Sequence, residues 1–194
     1  MNVNHTSIFP TIISTLTLPD CHTIKDPLIK WIYDYMNNNK GRIRSNVGGW
    51  QSNSNFYQQQ SFTQYFDYIM YGVDTYSKGL GSYNYTISNM WINVNHKGSS
   101  NTLHCHPESL MSGVFYIDVP DDSGRIGFLD PNSFVNAQLH RTVDTNIKRS
   151  FNFTQVHSTV PYEGLMLLFP SYLSHYVDTN NSDHDRISIA FNLN

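Results

Sequence analysis

The chain has 194 residues, 39% of them hydrophobic, so it is long enough to bury a core as one domain, residues 1–194. Only 14% of the residues are charged and the net charge is −3, which argues against a nucleic-acid partner. No apolar run approaches the roughly 20 residues of a membrane helix, and no secretory leader is recognisable, so we expect a cytoplasmic protein without a membrane partner. Cys21 and Cys105 are too few for a disulfide framework and are expected to be free thiols.

A short strand and two helices are predicted in residues 1–82, which we expect to support a sheet built by the rest of the chain. Residues 8–18 are rich in Ile and Thr and favour a strand interrupted near Pro10. Apolar residues recur at three- and four-residue spacing in residues 24–36 and again in residues 61–78, which predicts two amphipathic helices.

Residues 83–194 change to short runs of alternating apolar and polar residues, separated by Gly, Pro, Asp and Asn. The aromatic content of 14% also favours β-structure, because strands accommodate aromatic and β-branched side chains well. The pattern therefore predicts a mostly β fold, a sandwich, barrel or jelly roll, with the two helices flanking the outside of one sheet. The predicted strands are residues 83–94, 110–119, 125–129, 151–160, 164–169, 174–177 and 186–193.

A candidate metal site lies in the segment Leu-His-Cys-His-Pro-Glu-Ser. In an extended chain, alternation aims His104, His106 and Glu108 at the same face, so three potential metal ligands converge there. A single His-x-His pattern is more often solvated or structural, and it does not identify a metal site alone.

A second group of candidate residues follows the apolar run at residues 165–169. His175 comes after a Pro-Ser turn, and 11 residues later a strand pattern places Arg186 and Ser188 on one face. A guanidinium and a hydroxyl on one face suit a carboxylate ligand, since guanidinium binds carboxylates through two parallel hydrogen bonds. The alternative is an ion pair between Arg186 and Asp183 or Asp185.

Taken together, the motifs resemble those of iron(II)/2-oxoglutarate-dependent oxygenases: His-x-acid, a distal His, and Arg-x-Ser about ten residues later. The chain is more specifically similar to a family of 2-oxoglutarate/iron(II) oxygenases found in marine bacteria and their phages. The similarity spans most of the chain and is carried by residues 49–52, 91–95, Gly98, Asn101, 104–107, 112–116, 128–131 and 169–192.

This resemblance implies a double-stranded β-helix, a cupin-like jelly roll, that binds Fe(II), the cosubstrate 2-oxoglutarate and O₂. His175 would be the distal metal ligand. Gly98 lies six residues before His104, as in prolyl-hydroxylase-like members before their first His, which implies that His104 is the first ligand. Position 106 departs from the family pattern, because His106 stands where an Asp or Glu is usual. The ligands would then be three His, or the triad shifts and Glu108 supplies the carboxylate; the Gly98 spacing favours His106.

The cosubstrate contacts are also implied by the resemblance. Arg186 and Ser188 would hold the distal carboxylate of 2-oxoglutarate, and Tyr116 matches a strand position that often adds a hydroxyl. Asn95, like Asn93, would face the same cavity and reach the cosubstrate or structural waters; a polar layer inside the barrel is the equal alternative.

The function that the resemblance implies is hydroxylation of a small-molecule or peptidyl substrate, coupled to release of succinate and CO₂. Two alternatives stay open. One is a three-His cupin-type metalloenzyme that does not use 2-oxoglutarate, and the other is a non-catalytic jelly-roll binding or virion protein. A homo-oligomer is compatible with the sequence.

Overall fold

Two antiparallel sheets facing each other dominate the computed structural model, which describes residues 4, 6, 8–81, 83–132, 140–151 and 153–194. The two long helices pack on the outer face of the larger sheet. Within the described part of the chain, none of the helices combines the length and apolarity needed to cross a bilayer.

Each of the two long helices buries one apolar face against the sheet. Leu28 and Ile32 in the first helix, and Ile69 and Val73 in the second, are one turn apart and fully buried. Gly72 permits close packing of the second helix, because a Cβ at this position would lie 2.8 Å from side-chain atoms of the neighbouring elements. The α-helices with both ends among the described residues are α1 (Cys21–Asn38), α2 (Thr63–Gly79) and α3 (Thr145–Ser150).

The strands are short, and every neighbouring pair is antiparallel. The larger sheet has the order β1-β9-β6-β11-β4-β3 and the smaller one β2-β5-β10-β7-β8. In chain order the strands are β1 (Ser14–Thr17), β2 (Asn46–Val47), β3 (Trp50–Gln51), β4 (Ile87–Asn95), β5 (Ser100–His104), β6 (Met111–Asp118), β7 (Ile126–Leu129), β8 (Val156–Thr159), β9 (Leu165–Pro170), β10 (His175–Val177) and β11 (Arg186–Leu193).

The larger sheet buries its two faces against different partners. Ile187, Ile189 and Phe191 of β11 point towards the helices and join the main hydrophobic core. The opposite face looks towards the smaller sheet, where Val114 and Phe128 belong to a second apolar cluster between the sheets. The intervening residues of β11 therefore face the space between the sheets, because side chains alternate along a strand.

The predicted fold class, a mostly β double-stranded β-helix with flanking helices, is confirmed. The helix predicted at residues 24–36 begins three residues earlier, at Cys21. Short strands β2, β3 and β5 were not predicted, since they lie in polar stretches without a clear alternation.

The strand predicted at residues 151–160 is wrong over its first half. Residue 152 lies outside the described residues, and the strand observed in this region is β8. The backbone N–H of Phe151 donates to Ile147 O and that of Phe153 to Lys148 O, so this segment completes the end of α3. The carbonyl groups at the end of α3 thus accept hydrogen bonds from N–H groups that a strand would have used to pair with its neighbour.

Candidate metal centre and cavity

A cavity between the two sheets encloses about 510 Å³, including the open solvent at its mouth. Residues from both sheets line it, so the antiparallel pairing fixes which side chains meet there. Among them are Trp91, Asn93, Tyr116, His175, Arg186 and Ser188.

Three histidines converge at this cavity. His104 ends β5 and is the direct cross-strand partner of His175 in β10, and the two ring centroids are 4.3 Å apart. His106 follows two residues after the end of β5, with its ring 5.1 Å from that of His104 and 5.2 Å from that of His175. One ring nitrogen from each residue lies within 4.8 Å of the others, a spacing that one metal ion can bridge.

Backbone carbonyls orient two of these rings. His104 Nδ1 is 2.7 Å from Thr102 O, and His175 Nδ1 is 2.9 Å from Leu173 O. A carbonyl oxygen only accepts, so each Nδ1 carries the proton and each Nε2 has a free lone pair. This arrangement is usual for histidines that bind a metal through Nε2.

The third ring is held by side chains. His106 Nδ1 lies 2.9 Å from Asn192 Oδ1, and the indole of Trp91 stacks on the imidazole with centroids 5.3 Å apart. His106 Nε2 is buried and has no hydrogen-bond partner among the residues that the structure describes. A buried polar atom without a partner is unfavourable, and a bound cation would satisfy it.

Burial keeps the three imidazoles neutral. Desolvation lowers the pKa of His106 to about 4 and that of His175 to about 3, with the nearby His104 as a further cause. The pKa of His104 is also lowered by burial. Histidine binds metals in its neutral form, so at neutral pH no proton has to leave these imidazoles before a metal ion binds. Three neutral imidazoles suit a first-row divalent metal such as iron.

Arg186 lies in the same cavity and is 1% exposed. Its Nη1 donates to the backbone oxygens of Ser123 and Asp178, the latter at 3.3 Å, whereas its Nη2 is buried and finds no partner in the described part of the chain. Burial lowers the pKa of Arg186, yet guanidinium stays protonated in proteins. The residue therefore offers an unused, charged N–H donor to an anion in the cavity.

Neither Asp183 nor Asp185 is the partner of Arg186. Asp183 Oδ1 binds Lys97 at 2.7 Å. Asp185 accepts a hydrogen bond from Tyr33 at 2.7 Å and contacts His96 at the same distance. Both carboxylates have other partners, and the Arg186 contacts found are to backbone oxygens.

The other predicted cosubstrate residues share the face of the sheet that bears Arg186. Ser188 is directly opposite Tyr116 on one side and Asn93 on the other, and Arg186 is opposite Asn95. Directly paired residues of an antiparallel sheet point to the same side. All of these side chains line the cavity. Burial raises the pKa of Tyr116 to about 12, so its phenol remains a neutral donor at physiological pH.

Glu108 lies apart from the histidine cluster. It is exposed, in a turn that follows His106. The alternation that places Glu108 on the same face as His104 ends with β5, because the chain leaves the sheet there and turns at Pro107. His106 reaches the cluster from outside the strand, through contacts with Asn192 and Trp91.

Asn192 and Trp91 were not predicted to support a histidine. Asn192 falls on the same face of β11 as Arg186 and Ser188, so the two-residue period placed it towards the cavity. The two-residue period does not show how far along the sheet each residue lies. That position places Asn192 next to His106.

The sequence model of a protein family described as "Putative 2OG-Fe(II) oxygenase" matches residues 89–192. The match starts in β4 and ends in β11, so it includes the three histidines and Arg186. No curated protein sequence matches the chain.

Solved structures with the same fold include three oxygenases at low sequence identity. A prolyl-4-hydroxylase from Pseudomonas putida aligns with a TM-score of 0.61 and 14% identity, over 94% of this chain and 92% of the other. The viral collagen prolyl hydroxylase of Paramecium Bursaria Chlorella virus-1, solved as a 2OG complex, gives 0.60 and 11%, over 93% and 94%. HygX from Streptomyces hygroscopicus, with nickel and 2-oxoglutarate bound, gives 0.63 and 12%, over 94% and 82%. With a matching family model that covers more than half of its residues, the chain belongs to the 2OG-Fe(II) oxygenase family.

Proposed function

We propose that this protein is an Fe(II)- and 2-oxoglutarate-dependent dioxygenase that hydroxylates a small-molecule or peptidyl substrate. His104, His106 and His175 bind the iron through Nε2. Support comes from their spacing, with ligand atoms within 4.8 Å of one another, and from the family to which the chain belongs. Their lowered pKa values add support, because protons do not compete with a metal for neutral imidazoles.

The cosubstrate binds at the Arg186 end of the cavity. Arg186 and Ser188 hold the distal carboxylate of 2-oxoglutarate, with Tyr116 and Asn95 adding hydrogen-bonding groups beside it. The observation that carries the proposal is the buried Nη2 of Arg186, which has no protein partner in the cavity that also holds the three histidines. A charged donor left unpaired in the interior is destabilising, whereas a carboxylate there makes a strong charge-assisted bond.

The overall reaction converts 2-oxoglutarate, O₂ and a substrate C–H into succinate, CO₂ and a C–OH group. One oxygen atom enters succinate and the other enters the product. Bound iron supplies the redox chemistry with O₂, and the protein's residues hold and orient the reactants. The inter-sheet apolar cluster, which includes Val114 and Phe169, limits the entry of water next to the histidines.

Anaerobic titration tests the proposal directly. Fe(II) is added to the metal-free protein with and without 2-oxoglutarate, and the visible charge-transfer band of the iron–2-oxoglutarate chelate is monitored. We expect a band that saturates at one iron per chain and requires both additions. The Arg186→Ala variant, with the histidines intact, is the matched control and should need much more 2-oxoglutarate.

Iron binding without any 2-oxoglutarate-dependent band would contradict the proposal and favour the three-His cupin-type enzyme. No iron binding at all would favour a non-catalytic jelly-roll protein. Succinate formation in the presence of O₂, measured across a panel of small metabolites and peptides, then identifies the substrate class.

A further inference from the structure

A chain of buried polar side chains lies behind His106. Asn192 Oδ1 is 2.9 Å from His106 Nδ1 and 2.7 Å from Ser112 Oγ. Ser112 Oγ is in turn 2.9 Å from Ser171 Oγ, and Asn192 Nδ2 donates to Asn89 Oδ1 at 3.0 Å. Asn192, Ser112 and Ser171 are each at most 6% exposed, so water does not replace these bonds easily.

The directions of these bonds specify the protonation of the ring. Because the Nδ2 group of Asn192 donates to Asn89, its Oδ1 faces both Ser112 and His106 and accepts from each. His106 Nδ1 therefore carries the proton, which leaves the lone pair on Nε2. That Nε2 is the buried atom without a partner, and the residue lines the cavity with the other two histidines.

His106 differs from His104 and His175 in how its ring is fixed. Those two rings donate to the carbonyl oxygen two residues earlier in their own segment, Thr102 and Leu173. His106 lies beyond the end of β5 and is fixed by a side chain from β11. A single substitution can therefore remove the support of this ring, whereas the backbone supports of the other two rings remain in any side-chain variant.

We propose that Asn192 is a positioning residue for the third metal ligand: its amide oxygen holds His106 in the Nδ1–H tautomer and aims Nε2 at the metal. Trp91 completes the support by stacking on the face of the ring, so edge and face are both constrained. The metal-binding part of this inference rests on the proposed function, whereas the tautomer is a property of the metal-free protein.

The tautomer is measured first, on the metal-free protein at pH 7, by long-range ¹H–¹⁵N correlation of the histidine rings. We expect His106 to be Nδ1–H in the wild-type protein. In Asn192→Leu, which removes the acceptor at similar volume, the His106 signals should shift towards the Nε2–H tautomer. Asn192→Asp keeps an acceptor oxygen and should retain Nδ1–H. Ser171→Ala is the matched control, since it removes a hydroxyl from the same network and leaves the bonds of Asn192 to Asn89 and His106.

Metal affinity is measured second, by titration with Co(II) alone and detection of its visible absorption. Loss of a hydrogen-bond partner behind a metal-bound histidine lowers affinity by about 10- to 100-fold. We expect a decrease of that size for Asn192→Leu and recovery in Asn192→Asp, with thermal unfolding of each metal-free variant confirming that it is folded.

Two results would overturn the inference: an Nε2–H tautomer of His106 in the wild-type protein, or a folded Asn192→Leu variant with unchanged tautomer and Co(II) affinity. If Asn192→Leu does not fold, the inference is tested by the His106 tautomer in the wild-type protein and by the tautomer and Co(II) affinity of Asn192→Asp. Failure of the proposed function has another signature, namely no Co(II) binding by the wild-type protein, and it does not alter the tautomer result.

Discussion

At the histidine end of the cavity the side chains offer nitrogen lone pairs, whereas at the Arg186 end they offer N–H groups. At both ends, one nitrogen of each side chain forms a hydrogen bond with another part of the protein. The ring Nδ1 atoms donate to oxygens, and Arg186 Nη1 donates to two carbonyls. Another nitrogen of the side chain has no partner among the described residues. This is clearest for His106 Nε2 and Arg186 Nη2, which are both buried.

The two ends of the cavity therefore suit ligands of opposite charge. The free lone pairs at one end suit a cation, and the free guanidinium nitrogen at the other suits an anion. A lone pair and an N–H group could pair with each other, but His106 Nε2 and Arg186 Nη2 do not meet, because both are left without a partner among the described residues. Substitutions at each end should therefore separate metal affinity from cosubstrate affinity.

The largest effect is expected at the histidine end. His175→Ala and His104→Ala should each abolish stoichiometric iron binding, because two remaining imidazoles hold the metal poorly against water. Isothermal titration with Fe(II) under anaerobic conditions measures this, and thermal unfolding of the metal-free variants serves as the control for folding. Wild-type iron affinity in either folded variant would remove that residue from the metal site.

A paired comparison sharpens the assignment of the third ligand. His106→Ala should lose iron binding and turnover, because its Nε2 lies with the other two ligand atoms. Glu108→Gln should leave both nearly unchanged, because Glu108 is exposed in the following turn. The reverse result, together with a dispensable His104, would shift the ligand set to His106, Glu108 and His175.

At the other end, Arg186→Ala should weaken 2-oxoglutarate binding and leave iron affinity nearly unchanged. Hydrogen bonds to charged groups contribute about 1.5 to 3 kcal/mol each, which corresponds to roughly 10- to 150-fold in affinity. Ser188→Ala should have the same direction with a smaller effect, since a hydroxyl contributes a neutral hydrogen bond. Equal losses of iron and cosubstrate affinity in Arg186→Ala would show a structural role for Arg186 and break the comparison.

A last effect is expected on the pH dependence of stability in the metal-free protein. An imidazole in the unfolded chain has a pKa of about 6.5, whereas in the folded chain the pKa is about 4 for His106 and about 3 for His175. Between about pH 6.5 and 4 the unfolded state therefore binds more protons, so the free energy of unfolding falls as the pH is lowered. Each group contributes at most about 1.4 kcal/mol per pH unit.

Urea unfolding at pH 7, 6 and 5 measures this dependence. His175→Gln removes one buried imidazole and should make the slope shallower. A slope that is the same in the variant and the wild-type protein would mean that His175 is not buried in a neutral form.

Sequence patterns predicted the parts of the fold and the site that depend on local periodicity. The range 186–193 predicted for the last strand coincides with β11, because large apolar residues alternate strictly with small or polar ones along it. Local spacing also singled out His104 and Arg186, which both line the cavity, whereas their roles stay a prediction from the family resemblance. Helix α3 was missed, since its six residues are too few for a period to be visible, and its N-terminus is marked only by Asp144, whose side chain accepts from the Asn146 N–H.

Long-range contacts were not predictable in this way. The contact between His106 and Asn192 joins residues 86 apart, and it depends on how β5 and β11 approach each other across two sheets. The exposed position of Glu108 depends on where β5 ends, and the ends of strands are poorly marked in a sequence whose polar residues continue without a break.

The alternation of β11 has a consequence for how this protein tolerates genetic change. Its odd-numbered residues, such as Ile189 and Phe191, build the core beneath the helices, while Arg186 and Ser188 face the cavity. Replacing one cavity residue leaves the core face of the strand intact. Deleting or inserting a single codon within β11 exchanges the two faces beyond that point, so the strand buries polar groups and exposes apolar ones. Homologues should therefore vary by substitution along this strand and by length only in the loops that flank it.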